Sequence, residues 1–170
     1  MVLEGKNIDL REVKLTDAEF ILSLRCDEKK SQFLHKTEFD LPKQTAYIAA
    51  ALQKTDEYYF IIQSKNGESL GTIRIYDIQD NSFEWGSWLI KDGVNANVSV
   101  ESVLLMYNFA FYTLNLRFAL LDVRRANKSV RSFHLKFGAK IIREDELDTF
   151  LRLDKIDFEN SRTLFARYIA

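Results

Sequence analysis

The chain has 170 residues and a single cysteine, Cys26, which excludes an internal disulfide framework and fits a reducing compartment. Its one proline, Pro42, and six glycines form no Pro/Gly/Ser-rich linker, and no repeat or low-complexity tract appears. Only two histidines occur, with no CxxC pair and no phosphate-cradling GxxxxGK[ST] loop, so metal, redox and nucleotide-kinase readings find no support. Charge is nearly balanced at a formal −1, which leaves no global basic footprint for nucleic acid or an anionic membrane. The longest apolar region, around Val103 to Leu114, is interrupted by Tyr107, Asn108 and Thr113 and is too short to span a bilayer. The opening Met1-Val-Leu-Glu-Gly-Lys lacks the charged-then-apolar pattern of a secretory signal. These absences predict a soluble, cytoplasmic protein folded as one domain over residues 1–170.

What is present is ample apolar material. Hydrophobic residues make up 46% of the chain, including 13 Phe, 7 Tyr and 2 Trp, enough for a large aromatic core without staples. Ile8-Asp-Leu-Arg-Glu-Val alternates and reads as an opening strand. Thr16-Asp-Ala-Glu19 has the form of a capping box that starts a helix through about Cys26. Asp40 and Pro42 mark the start of a second helix, Leu41 to Lys54.

Three strands follow, at Tyr58 to Ser64, Leu70 to Tyr76 and Phe83 to Ile90, the first two joined by a Lys65-Asn66-Gly67 turn. A helix from about Ser99 to Leu114 is apolar nearly all round, which predicts burial. Phe118 to Val123 reads as a strand buried on both faces. Lys128 to Phe137 forms a helix that Gly138 ends. Strands at Ile141-Ile142 and Phe150 to Leu153, then a terminal helix from about Asp157, complete the order β-α-α-β-β-β-α-β-α-β-β. A meander followed by a crossover unit predicts an α+β (mixed α/β) fold with helices on both faces of the sheet.

That order resembles the GNAT acyltransferase superfamily, and separated segments carry the likeness. Asn127-Lys-Ser-Val-Arg-Ser-Phe-His-Leu-Lys-Phe-Gly138-Ala139 resembles the segment after the family's fifth strand. Glu84-Trp-Gly-Ser-Trp-Leu-Ile90 is similar to the fourth strand of the branch that modifies protein N-termini and amino sugars. Val103 to Leu116 resembles the helix after the cofactor loop. Leu10-Arg-Glu-Val and Asp17-Ala-Glu-Phe add to the likeness. The resemblance implies a central, mostly antiparallel sheet of six to seven strands with splayed fourth and fifth strands, and acetyl-CoA as acyl donor. One segment departs from the pattern. The family's Arg/Gln-x-x-Gly-x-Gly/Ala positions fall here on Val94, Asn97 and Ser99.

The resemblance also implies site residues. Backbone amides of Trp88, Leu89 and Ile90 would polarise the acyl carbonyl, and the next helix start, with Val98 and Val100 in its first turn and side-chain donors from Asn95, Asn97 and Ser99, would hold the pyrophosphate. Asn97 or Ser99 reads equally well as a plain helix cap. Asn127 would bond the pantetheine amides and Arg131, within the Arg124, Arg125, Lys128, Arg131 cluster, the ribose phosphate. Glu84, flanked by Phe83 and Trp85, is the candidate base because desolvation raises a carboxylate pKa. His134 occupies the position seven after Asn127 where the family usually places Tyr, and is the candidate acid, its imidazolium titrating near neutrality. His35, Tyr76 and Trp85 are candidate acceptor residues.

The expected acceptor is a small-molecule amine, first an amino-sugar nucleotide of surface-polysaccharide synthesis and second a protein N-terminus. No nucleic-acid or membrane partner is expected, the family's habits allow a homodimer, and an acyl-CoA sensor on the same fold is the non-enzymatic alternative.

Overall fold

The computed structural model describes residues 1–168. Its strands are β1 (Val2–Glu4), β2 (Ile8–Glu12), β3 (Tyr58–Ser64), β4 (Ser69–Tyr76), β5 (Ser82–Ile90), β6 (Phe118–Arg124), β7 (Lys140–Glu144) and β8 (Asp148–Asp154). The helices are α1 (Ala18–Arg25), α2 (Glu28–Ser31), α3 (Leu41–Leu52), α4 (Ala96–Asn108), α5 (Lys128–Lys136) and α6 (Lys155–Arg162). All eight strands join one sheet in the order β1-β2-β3-β4-β5-β6-β8-β7, antiparallel except where β5 and β6 run parallel. The mixed α/β class is as the sequence predicts. The strand beyond the expected count is Val2–Glu4, too short for alternation to reveal, and it folds back on β2.

Several local expectations change. Thr16 does not cap the first helix; it lies inside a 3-10 turn over Leu15–Asp17, where the Asp17 carboxylate accepts the Lys14 amide and two bonds from the Arg11 guanidinium. The short α2 was not expected, and Asp27 caps it. For α3 the reading holds, since Asp40 accepts the Lys43 amide and Pro42 sits in the first turn. The buried helix starts earlier than expected, at Ala96 behind the Asn95 cap, and ends in a wide π-helical turn over Phe109–Thr113. β6 alternates instead of being buried on both faces: Ala119, Leu121 and Val123 face the core, while Asp122 and Arg124 are exposed.

That alternation reflects how the helices divide. The larger core lies on one face, where α4 sets Leu104 and Tyr107 against Ile73, Phe83 and Leu121, with Phe137 and Phe158 beside them. On the other face Ile21 of α1 and Ile48 of α3 cover Tyr59 and Ile61 of β3. Helical cover there stops short of the open face of β6. A buried carboxylate, Glu101, ties the β1–β2 connection to α4 by accepting the Asn7 backbone amide at 2.8 Å and its side-chain amide at 2.9 Å.

Close approach between β4 and β5 depends on Gly71, where an added Cβ would run into the Leu89 carbonyl oxygen and crowd Ile90. Gly71→Ala is expected to destabilise the chain by about 1–3 kcal/mol, read as a lower urea midpoint at unchanged slope.

Candidate active site

β5 and β6 pair over three residues only, Ser82–Glu84 with Phe118–Leu120, and then part. Two features bend β5 at that point. Its register against β4 shifts between Thr72 and Arg74, and Ser87 adopts a left-handed φ of 49°, a β-bulge that turns the Ser87 carbonyl onto the Thr72 hydroxyl at 2.6 Å. An aromatic wedge fills the core side of the gap. The Trp85 indole donates to the buried Tyr107 hydroxyl at 2.9 Å, and its ring meets His134 edge-on at 5.2 Å and Trp88 at 5.7 Å. Trp88 in turn leans on Phe133 and donates to the Ser102 hydroxyl.

Three contiguous hollows run from this gap across the face beside α1 and α3. The first, about 180 Å³, lies in the gap and is lined by Trp88, Leu89, Asn127, Val130 and His134. The second, about 510 Å³, is bordered by His35, Tyr76, Gly86, Asp122 and Arg124. A third, about 490 Å³, opens between α1, α3 and β4. Leu34 and Ser87 border the first two, and Arg25, His35 and Arg74 border the last two.

Glu84 is the last β5 residue paired with β6, opposite Leu120 on one side and Tyr76 on the other. Its carboxyl pKa is pushed up to about 7, first by burial, then by a hydrogen bond with Asp77 and the nearby charge of Asp122. Tyr76 is raised to about 12 by burial and by the Asp122 and Glu84 carboxylates, and its hydroxyl lies over Gly86, where a Cβ would stand 3.3 Å away. Neither Asp77 nor Asp122 was singled out in the sequence. Asp122 carried the available signal: a carboxylate is out of place in a strand buried on both faces. No group of three or more His, Cys, Asp or Glu among the described residues converges to hold a metal ion.

His134 is 5% exposed and its Nδ1 is buried without a protein partner. Burial lowers its pKa to about 4, so at neutral pH the ring is neutral and not the imidazolium that the sequence suggests. Asn127 precedes α5 and its side chain accepts no backbone amide there; its Oδ1 accepts only a long bond from the Ser129 hydroxyl, at 3.5 Å. Trp85 borders the hollows, yet its ring is buried and its N–H is committed to Tyr107.

The remaining expected residues do not line the first hollow. Asn95, not Asn97 or Ser99, caps α4, its Oδ1 accepting the Asn97 amide at 2.9 Å. Val98 is buried and Val100 half-buried against the core, and the Ser99 carbonyl accepts the Ser102 hydroxyl. Ile90 ends β5 opposite Gly71. Arg131 lies outside the gap, beside Arg125 and Lys128, and pairs with Glu144 at 3.1 Å. Arg25 and Arg74 line the hollows without having been expected to. Strand alternation was the signal for Arg74, because it shares a face with Tyr76 two residues on.

The raised Glu84 pKa has a consequence for stability. Folding lifts this group from its ordinary 4.5 to about 7, so the folded chain takes up a proton in that window. The stability that Glu84 contributes is therefore full at the acid end and lost as pH rises to about 7. Glu84→Gln is expected to raise Tm at pH 8 and to leave it nearly unchanged at pH 5, read by calorimetric melts at both pH values.

Residues 7–140 match the family described as Acetyltransferase (GNAT) domain. Probable N-acetyltransferase YjcK of Bacillus subtilis (strain 168) is 26% identical over 128 residues, 68% of this chain and 70% of that protein. Among solved structures, apo FdhC, described as a nucleotide-linked sugar GNAT, is 34% identical, with a TM-score of 0.89 over 100% of this chain and 99% of that one. Spermidine N-acetyltransferase from Vibrio cholerae, solved with CoA and spermine, is 15% identical, with a TM-score of 0.77 over 91% of this chain and 99% of that one, and shows the fold alone. No helix among the described residues is long and apolar enough to cross a membrane. The family match over most of the chain, on a sheet parted at its centre, means that this protein belongs to the GNAT acetyltransferases and is an acyl-CoA-dependent acetyltransferase.

Proposed function

We propose that the protein acetylates the primary amine of an amino-sugar nucleotide, with acetyl-CoA as donor and Glu84 as the proton acceptor. The observation that carries this reading is the Glu84 carboxyl, held near pKa 7 beside Tyr76 at the point where β5 leaves β6. The full-length likeness to a nucleotide-linked sugar GNAT supports the acceptor class.

The gap suits an acyl-CoA. Its walls include the His134 ring and Asn127, whose side chain caps no backbone amide of its own helix. When bound there, acetyl-CoA supplies an activated thioester acyl group. The backbone of Trp88, Leu89 and Ile90 would hold it along β5, where that strand has no neighbour on the β6 side. Asn127 would bind its amides. The N-terminal turn of α4, with Asn95, Asn97, Val98, Ser99 and Val100, would face its phosphates, aided by the dipole of a 13-residue helix.

Glu84 takes a proton from the acceptor amine, directly or through water. The amine nitrogen then forms the amide bond as the thioester C–S bond breaks, and Glu84, with a pKa near 7, can pass the proton on through water to the departing CoA thiolate. His134, neutral, stabilises developing negative charge in the gap by donating an N–H hydrogen bond. A specific observation favours a second reading, a non-catalytic acyl-CoA sensor. In the loop before α4, Val94, Asn97 and Ser99 stand where the family carries Arg/Gln, Gly and Gly/Ala.

Thiol release from acetyl-CoA, assayed over UDP- and dTDP-linked amino sugars, spermidine and N-terminal peptides, separates the readings. The nucleotide-linked amines are expected to be the best substrates. Acetyl-CoA binding without release on any amine would favour the sensor, and preference for peptides would overturn the acceptor class. Activity is expected to rise with pH through about 7 as Glu84 ionises. Glu84→Gln should lose that limb and roughly 10²–10⁴-fold in kcat, while any limb that belongs to the amine itself persists. His134→Phe should lower kcat on the order of 10²-fold with little change in KM for acetyl-CoA.

A further inference from the structure

The hollow between α1, α3 and β4 is continuous with the site through Arg25, His35 and Arg74, yet it reaches away from both Glu84 and the β5–β6 gap. Its charge is opposite to that around Glu84. At the Glu84 end the carboxyls of Glu84, Asp77 and Asp122 influence one another. In the far hollow Arg25, Lys36, Lys43 and Arg74 line the walls against Glu38 and Asp40, and Asp40 is engaged in capping α3. Arg25, Lys36 and Lys43 form no ion pair among the described residues.

Two of these cations are held in place. The Arg25 Nε donates to the Thr37 hydroxyl at 3.0 Å, which leaves its outer nitrogens without a protein acceptor. Arg74 is fixed on three sides: Nε lies 3.1 Å from the buried Glu57 carboxylate, Nη1 donates to the Tyr47 hydroxyl at 2.6 Å, and the guanidinium packs 4.4 Å from the Tyr76 ring centroid. Positioned guanidiniums suit phosphate oxygens, which they bind in fork geometry. Tyr47 is 41% exposed above Tyr59 and offers an aromatic surface for a base. The register sets the order along the trough, with Glu84 opposite Tyr76, then Gly86 opposite Arg74, then Arg74 opposite Tyr59. The two-residue step from Tyr76 to Arg74 spans about 7 Å, the scale of one sugar ring between an amine and a phosphate.

We propose that this hollow is the subsite for the nucleoside diphosphate end of the acceptor, with Arg25 and Arg74 on the diphosphate, Lys36 and Lys43 around it, and Tyr47 against the base. The proposal rests on the reading that the acceptor amine is presented to Glu84. It makes the trough a ruler for a molecule that is cationic at one end and anionic at the other, and it disfavours polyamines, whose far end would meet Arg25 and Arg74.

The test is calorimetry with UDP, dTDP and UMP on the full chain, repeated with Arg25→Ala, Arg25→Lys and Lys43→Gln, each checked by thermal melt. The expected result is diphosphate binding tighter than monophosphate. Arg25→Ala should weaken it at least tenfold, Arg25→Lys should restore part of the loss, and acetyl-CoA affinity should not change. Lys43→Gln, on the exposed side of α3, should weaken binding severalfold and serves if Arg25→Ala proves unstable. No nucleotide binding, or equal binding by wild type and all three variants, overturns the subsite. In turnover assays Arg25→Ala should raise KM for an amino-sugar nucleotide at least tenfold. Acetylation of that substrate with an unchanged KM in Arg25→Ala sinks the subsite and leaves the acceptor reading standing. Arg25-dependent UDP binding without acetylation of any amino-sugar nucleotide keeps the subsite and removes the acceptor reading.

Discussion

The separation of β5 from β6 is the constraint on which the rest of the molecule turns. Three paired residues hold the two halves of the sheet together, and beyond Glu84 the strands have no bond to one another. A parted sheet leaves backbone donors and acceptors without partners, which is costly unless something else fills the gap. Here Trp85, Trp88, Phe133 and His134 fill its core side, and the Ser87 bulge redirects β5 with its carbonyl still satisfied by Thr72. The aromatic richness of the sequence is thus partly a structural support for an opening, in addition to ordinary core filling.

Stability and chemistry pull against each other at the same place. Glu84 is desolvated and set near two other carboxyls, an arrangement that disfavours its charged form. A glutamine there would relieve the conflict and remove the proposed proton acceptor. His134 shows the same trade in another form, because its burial completes the wedge and keeps the ring neutral. The role we propose for this neutral ring is therefore hydrogen-bond donation and not proton transfer. The family's usual tyrosine and this histidine then share a property, an X–H donor in the gap, more than they share acidity.

Much of the fold was legible in the sequence because its signals are local. Alternation marked β2, Asp40 with Pro42 marked the start of α3, the unbroken apolar face marked α4, and Gly138, at φ 100°, ended α5 as a C′ glycine does. Failures came where a distant partner decided the outcome. The helical turn starts at Leu15 with Asp17, held by Arg11 of β2, accepting the Lys14 amide, instead of starting at the capping box that Thr16 and Glu19 spell out. β6 looked buried throughout because its neighbours are apolar, but no helix covers its outer face, so Asp122 could be tolerated there and join the site.

The sequence by itself determined most of the order of elements, the family resemblance and the chemical types available: one carboxylate on the strand ending at Ile90, one histidine on the helix ended by Gly138, and an asparagine at that helix's start. These follow from periodicity and motif, which are properties of neighbouring residues. Only the tertiary structure decided which groups work together and in what state. Asp77, just after β4, and Asp122, within β6, act on Glu84 from different strands, burial by Trp85 and its neighbours makes His134 neutral, and Arg25 and Arg74 meet across a hollow from a helix and a strand far apart in the chain. A pKa and a trough of opposite charges depend on distances in space, and no spacing along the chain encodes them.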